Sequence, residues 1–409
     1  MSTLSDPPVE SFRPSQLIND TRYRSYTFQV IALICLVGLF GYLLSNLFQN
    51  LADAGLNISY EFLAEPAGYD INQRLIEYQS QSTHLRASIV GVLNTLLVAV
   101  VGCVLATIIG VVVGVLRLSK NWLISKVMSI YVEIFRNVPV LIWILIVMAV
   151  FVAVLPQPRD FRGENAEASM FLDLFAFTGR GFNLPMPYFT AEWASGGTGW
   201  LVVIALIVAA IFGTRMIGTR ATAQQEATGV RPKTWQFTLG IWVVPMLIAF
   251  VVMGLAWEIP ELKGFNFKGG IFARNSFIAL TLALSIYTAA FIAENVRAGI
   301  LAISKGQTEA AASLGLRPRR IMNLVILPQA LRVIIPPLIS QYLNLTKNSS
   351  LAIAVGYMDL TGTLGGITLN QTGRAIECVL LLMLFYLTIS LAISGIMNVY
   401  NNSVKLKER

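Results

Sequence analysis

The sequence predicts an all-α, polytopic helical bundle of about eight transmembrane helices, and three observations carry that expectation. Hydrophobic residues make up 55% of the chain and charged residues only 13%, well below the roughly 25% charged that is usual in soluble domains. Apolar runs long enough for a bilayer, about 20 residues at a helical rise of about 1.5 Å, recur along its length. Lysine and arginine gather in alternate loops, as the positive-inside rule requires of a multi-pass chain.

The eight runs fall near 27–48, 89–116, 130–155, 199–214, 236–257, 275–300, 329–357 and 376–400. The first lies behind a polar arm and has no small-residue cleavage site after it, so it reads as a retained anchor. The stretch from Trp200 to Phe212 is short, but Gly196-Gly197-Thr198-Gly199 can lengthen it, and topology parity needs it as a span. The run after Pro328 carries Pro336 and Pro337, which predict a kinked or broken helix whose freed carbonyls are satisfied inside the bundle.

With both termini in the cytoplasm, twenty basic residues lie inside, from Arg13, Arg22 and Arg24 to the tail with Lys405, Lys407 and Arg409. Nine lie outside, and Lys347 is left within a span. The net charge of +8 then follows from topology and contact with anionic lipid, and needs no nucleic-acid partner. Acidic residues such as Asp53, Glu61, Asp70, Asp160, Glu164 and Asp173 fall in two long outer loops, near 49–88 and 156–198. Those loops are either a plain solvated surface or a landing face for a soluble delivery protein. Cys35, Cys103 and Cys378 sit in apolar runs as packing residues, and the single histidine, His84, gives no metal site.

The most polar interruption of the apolar pattern is residues 309–328, EAAASLGLRPRRIMNLVILP, which the charge bias places in the cytoplasm. Thr308 is positioned to cap a helix whose first turn carries Glu309. Ala310 and Ala311 form helix with little side-chain bulk, so a partner surface can approach the backbone. Gly315 ends that helix in a left-handed conformation, and Pro318 among Arg317, Arg319 and Arg320 starts a second short helix. Glu309-Ala310-Ala311, Gly315, Arg317 and the run ending at Pro328 resemble the EAA loop of the membrane subunits of ATP-binding-cassette importers. In that family the loop docks into a groove on the ATPase subunit.

The resemblance, closest to the polar amino-acid uptake branch, covers roughly residues 88–156 and 270–400. It implies a type I importer permease core with extra helices, in a bacterial inner membrane. The implied division is an arm over 1–26, an added helix and periplasmic loop over 27–87, and a first core part over 88–155. An inserted loop and helix pair follow over 156–270, then a second core part over 271–401 with the coupling loop at 306–328, and a tail over 402–409. The layout resembles the enlarged permease of broad-range amino-acid importers. It implies ATPase subunits, a second homologous permease and a periplasmic amino-acid-binding protein as partners.

Three further constellations belong to that reading. Glu133 and Arg136, in a segment resembling the branch's E-x-x-R-G-T-P with Asn137 and Val138 in place of Gly and Thr, have i, i+3 spacing, as do Glu294 and Arg297. Each pair is either simple charge neutralisation near lipid or a gating element. Asn94 and Thr95 lie in a GxxxT opening that faces the translocation path in the family, although residues of these types also bond backbone or a neighbouring helix. Thr346, Lys347, Asn348, Ser349 and Ser350 resemble the family's L-K-D-T-S-L signature, with Asn348 and Ser349 replacing Asp and Thr. They form either a substrate path suited to a zwitterion or polar bundle glue. A lysine at mid-bilayer costs about 3 kcal/mol, so Lys347 is expected to face a cavity, snorkel, or pair with Asp359 or Glu377.

The sequence contains no GxxxxGK[ST] phosphate loop and no nucleophile with its base. The chain is therefore expected to be no enzyme by itself, to carry no cofactor, and to rely on ATP bound by a partner subunit. Two other classes fit part of the pattern. An ion-gradient-driven secondary transporter requires mid-membrane acids and a repeated half. A non-transporting scaffold would recruit an ATPase through the same loop.

Overall fold

The computed structural model describes residues 18, 20–55, 57–163 and 166–404. Arg13, Glu164, Lys405, Lys407 and Arg409, counted above, lie outside them. The chain divides into two compact units, residues up to Phe62 and residues from Leu63 onward. The first contains helix α1, Thr21–Asp53, which exposes Phe28, Leu36, Phe40 and Leu43 along its length, as a lipid-facing span does. Eight helices among the described residues are long and apolar enough to cross a membrane, and α1 is one of them.

In the second unit the long helices are α2 (His84–Leu116), α3 (Trp122–Asn137), α4 (Val140–Val154), α5 (Thr198–Thr228) and α6 (Trp235–Met253). They are followed by α7 (Asn275–Leu301), the short α8 (Lys305–Ser313) and α9 (Pro318–Ile321), then α10 (Leu327–Asn348), α11 (Leu369–Thr372) and α12 (Ala375–Val404). Helix α7 is the axis of the bundle and packs on α2, α3, α4 and α10. Of its apolar window 67% is buried, against 11% for α5 and 6% for α6. The reason lies in side-chain size. Ala279, Ala283, Ala289, Ala290 and Ala293 line α7 and are essentially inaccessible. Opposite them α2 carries Gly110 and Gly114. A Cβ at Gly110 would lie 2.6 Å from Cβ of Ile292, and one at Gly114 would lie 2.8 Å from the Ala293 carbonyl. Small residues at four-residue spacing let the two backbones approach, which is the main source of helix association where lipid removes the hydrophobic drive.

Helices α5 and α6 pack chiefly on one another, with Trp242 Nε1 donating to Thr214 Oγ1 at 3.1 Å. The stretch that looked short is a full helix, started at Thr198 after Gly197 at φ 100°. Its partner ends earlier than the apolar run suggests. Gly254 at φ 65° caps α6 after Met253, and Leu255–Glu258 form a strand instead.

Other departures have local causes. The run at 130–155 is two helices, because Val138 is held extended before Pro139 and the chain turns there. The segment 122–137 is thus separate from α4 and carries exposed apolar residues such as Trp122 and Leu123. Pro336 and Pro337 do not break α10, which continues through them to Asn348 before tightening into a 3₁₀ segment, Ser349–Val355. A π-helical turn, Met322–Ile326, immediately precedes α10, and a second one, Thr361–Thr368, packs against α2.

Within the helical fold the residues flanking α5 and α6 add short strands: β1 (Ala176–Thr178), β2 (Gly181–Leu184), β3 (Met186–Phe189), β4 (Leu255–Glu258), β5 (Glu261–Lys263), β6 (Asn266–Lys268) and β7 (Ile271–Arg274). They pair antiparallel as β1–β2–β7, β3–β4 and β5–β6. This module joins directly to the start of α7, since Arg274 ends β7 and precedes Asn275.

Candidate coupling and translocation site

Helix α8 starts at Lys305, with Ser304 as its cap residue, so Thr308 lies inside the helix and caps nothing. Its far end closes as the sequence suggests. Gly315 takes φ 75°, its N–H bonds the Ala312 carbonyl at 2.9 Å, and Leu316 N–H bonds the Ala311 carbonyl at 3.3 Å. That pair of bonds is a Schellman closure, which satisfies carbonyls the helix end leaves open. Pro318 then sits in the first turn of α9 after Arg317, and Pro328 in the first turn of α10.

What α8 presents is surface. From Ser304 to Gly315 only Ala311 is buried, and Glu309 and Ala310 are exposed. Leu314 is 80% exposed, and no atom lies within 4 Å of a Cβ built on Gly315. The anchorage is behind it, where Ala311 and Ile321 are buried and Gln329 Nε2 reaches Gln307 Oε1 at 3.5 Å. Leu314 and Gly315, at the closed end of the helix, are thus left unpacked by the rest of the described chain.

At the end of α2 the structure brings together three charges. Glu294 accepts from Arg117 and, at 3.1 Å, from Arg297, while Arg117 Nε also reaches Ser129 Oγ of α3 at 3.4 Å. The Arg117 side chain is 9% exposed, so this junction clamps α2, α3 and α7. The Glu294–Arg297 pair forms as its spacing implies. Glu133 and Arg136 do not pair. Glu133 accepts from Asn137 Nδ2 at 3.3 Å, and Arg136 lies over the Phe291 ring with 5.4 Å to its centroid. Arg117 was legible only as one more basic residue, because its acid partner lies 177 residues away in sequence.

The polar residues of the bundle gather around the connection between α10 and α12. Asn94 is fully buried, and its amide donates to the Gln73 and Met358 carbonyls, both at 2.8 Å. Thr95 donates to the Gly91 carbonyl at 3.0 Å and accepts from Leu360 N–H at 3.1 Å. Both side chains thus hold the 356–361 connection onto α2. Thr346 and Ser349 are buried and bond the Tyr342 and Thr346 carbonyls, whereas Asn348 and Ser350 are half-buried. Lys347 is exposed and pairs with neither of the acids considered for it. Glu377 accepts from Arg374 at 3.3 Å, and Asp359 accepts from Gly362 N–H at 2.8 Å and from the Tyr386 hydroxyl at 3.1 Å.

Asp359 is the polar centre the sequence did not single out except as a partner for lysine. It is inaccessible, and burial pushes its carboxyl up to about 6, against the pull of its hydrogen bonds from Gly362 and Tyr386. The lining between α2, α10 and α12 is otherwise apolar. There a cavity of about 610 Å³ includes Cys103, Tyr342 and Thr346, and the Thr107 and Tyr342 hydroxyls bond each other at 2.6 Å.

Membrane-length helices around a small-residue axis, interrupted by one exposed capped helix, define a multi-pass membrane subunit. The family model described as a binding-protein-dependent transport system inner membrane component matches residues 235–406. Across its full length the chain is 54% identical to the glutamate/glutamine/aspartate/asparagine transport system permease protein BztB of Rhodobacter capsulatus, all of which is covered. It is 45% identical to the general L-amino acid transport system permease protein AapQ of Rhizobium johnstonii, over 98% of this chain and 96% of that protein. It is 43% identical to a putative amino-acid ABC transporter permease protein, YhdX, of Escherichia coli, over 94% and 95% respectively. The chain belongs to this family of amino-acid ABC-transporter permeases.

Proposed function

We propose that this subunit forms, with a second permease and two ATPase subunits, an importer that moves polar L-amino acids into the cytoplasm. A periplasmic binding protein delivers the substrate. ATP is bound by the ATPase subunits, and the motion they generate enters through residues 306–328. Both termini of the chain lie in the cytoplasm.

The observation that carries this reading is the exposed, capped α8. Glu309, Ala310 and Gly315 form the docking face, with Leu314 as the apolar contact; Ala311, expected on that face from the sequence, is buried and anchors the helix from behind, and Arg317 and Pro328 set the exit toward α10. Behind it, Arg117, Glu294 and Arg297 tie the ends of α2 and α7, so a push on α8–α10 meets a stiff junction rather than a loose end. Asn94 and Thr95 position the connection that carries Asp359, and residues 346–350 border the path. Transport requires the ligand and ATP to favour different conformers of the bundle, whichever binds first.

ATP-driven uptake of labelled amino acids into vesicles containing the whole complex tests this. Leu314→Asp and Gly315→Asp are expected to abolish uptake while the membrane subunits still assemble, because neither position packs inside this chain; Gly315→Asn, which tolerates the left-handed φ of 75° and adds no charge, controls for strain at the helix end. Unchanged uptake in both charged variants would remove the coupling role from α8.

A further inference from the structure

The inserted β module contains a cavity that the transport reading leaves unused. It measures about 520 Å³ and lies among the β1–β2–β7 sheet, Pro158 and the β5–β6 hairpin. Thr178, Arg180, Asn183, Asn266 and Arg274 supply its polar lining, and Phe267 and Phe272 its apolar wall. No carboxylate lines it among the described residues.

The two arginines leave neighbouring points of one sheet. The register sets Gly181 opposite Arg274, and Asn275 N–H bonds the Arg180 carbonyl at 3.4 Å. The two guanidiniums line one cavity, where like charges repel, and neither has an acidic partner among the described residues. Arg180 Nη1 donates to Asn266 Oδ1 at 2.5 Å, which orients it without neutralising it. Arg274 Nε is buried and has no hydrogen-bond partner among the described residues. A buried, unsatisfied guanidinium N–H is costly, and a planar carboxylate is the group whose two oxygens match its fork.

We propose that this cavity binds a small acidic amino acid, whose two carboxylates are taken by Arg180 and Arg274. The amides of Asn183 and Asn266 face its ammonium group, and Phe267 and Phe272 cover its methylenes. The volume is in the range of small-molecule sites, and the mixed polar and aromatic lining is of the usual kind. Occupation would remove the repulsion between the arginines and stiffen the junction of β7 with α7, the axis of the bundle. The site lies on the face opposite the Glu294 junction, because Arg274 stands at one end of a 27-residue helix and Glu294 near the other.

The inference stands on the cavity and does not require ATP-driven transport. Calorimetric titration of the full-length chain in lipid nanodiscs with L-glutamate tests it. The expected result is a saturable isotherm that weakens at least tenfold in Arg180→Gln and in Arg274→Gln, with Arg180→Lys intermediate. L-lysine should give no isotherm. Arg180 is exposed, so its variants should keep the thermal unfolding of the parent chain, which is measured alongside. Absence of a saturable isotherm, an isotherm unchanged in Arg180→Gln, or equal binding of inorganic phosphate would each overturn the assignment. Variants that lose uptake only with the delivery protein, without any L-glutamate isotherm in the parent chain, would reassign the arginines to protein docking and overturn it as well. Failure of ATP-driven uptake would leave this titration unaffected, so the two readings are separable.

Discussion

Replacing Glu294 by Gln tests the clamp between α2 and α7 most directly. The carboxylate serves two arginines of unequal exposure: the Arg117 side chain is 9% exposed and that of Arg297 is 37% exposed. Removing one partner of a buried pair leaves the other charge uncompensated, which costs about 3–5 kcal/mol in well-buried cases. Glu294 itself is 29% exposed, which discounts the cost to about 3 kcal/mol, nearly all of it arising at Arg117. The outward pair with Arg297 contributes at most about 0.5 kcal/mol, as exposed i, i+3 pairs do. A double-mutant cycle on thermal or denaturant unfolding in nanodiscs separates the two. The Glu294/Arg117 coupling is expected near 2 kcal/mol and the Glu294/Arg297 coupling below about 0.5 kcal/mol. Added salt should lower the second and leave the first nearly unchanged, since buried pairs are screened much less. A Glu294/Arg117 coupling under about 0.5 kcal/mol would refute the clamp, and so would equal coupling to both arginines.

Two other outcomes follow from the packing and from the buried acid. Gly110→Val places a Cβ 2.6 Å from Cβ of Ile292, so α2 and α7 must separate, and a loss of about 3 kcal/mol or more is expected in the same unfolding assay. Gly218→Val, where nothing lies within 4 Å, should change stability little. Asp359 lies in the connection outside the candidate spans, and its folded value of about 6 exceeds the ordinary 3.8, so the folded chain holds the proton more tightly than the unfolded one. Stability should therefore fall as pH rises from about 4 through about 6 and level off above, by about 3 kcal/mol in all. Asp359→Asn should flatten that dependence while keeping an acceptor for Gly362 N–H, and an unchanged pH profile in this variant would show that another group titrates.

Much of this protein was legible because a bilayer imposes its own grammar. Apolar length gave the spans, since unpaired backbone groups are excluded from hydrocarbon and only helices of sufficient length satisfy them. Local chemistry gave the end of α8, where Gly315 does take the left-handed conformation its position required. It failed where a boundary was decided by a neighbour. Residues 130–137 merge with the next apolar run because hydropathy is blind to one extended residue before a proline, and Ser304 rather than Thr308 starts α8 because one turn of polar helix, Lys305–Thr308, carries no apolar period to mark it. Short strands in the insertion were missed because three- or four-residue β segments carry little periodicity of their own and are held by pairing partners far away in sequence.

The sequence by itself determined the membrane class, the number of spans, and the capped, exposed helix between α7 and α10. These properties are set by composition and by neighbours a few residues apart. Only the tertiary structure decided that Glu294 answers Arg117, that Glu133 leaves Arg136 to an aromatic ring, that Asp359 is sealed beside Tyr386, and that Arg180 and Arg274 share a cavity. Each of those pairings joins positions brought together by helix packing or strand register, and a charge pattern along one chain specifies which groups exist without specifying which of them meet.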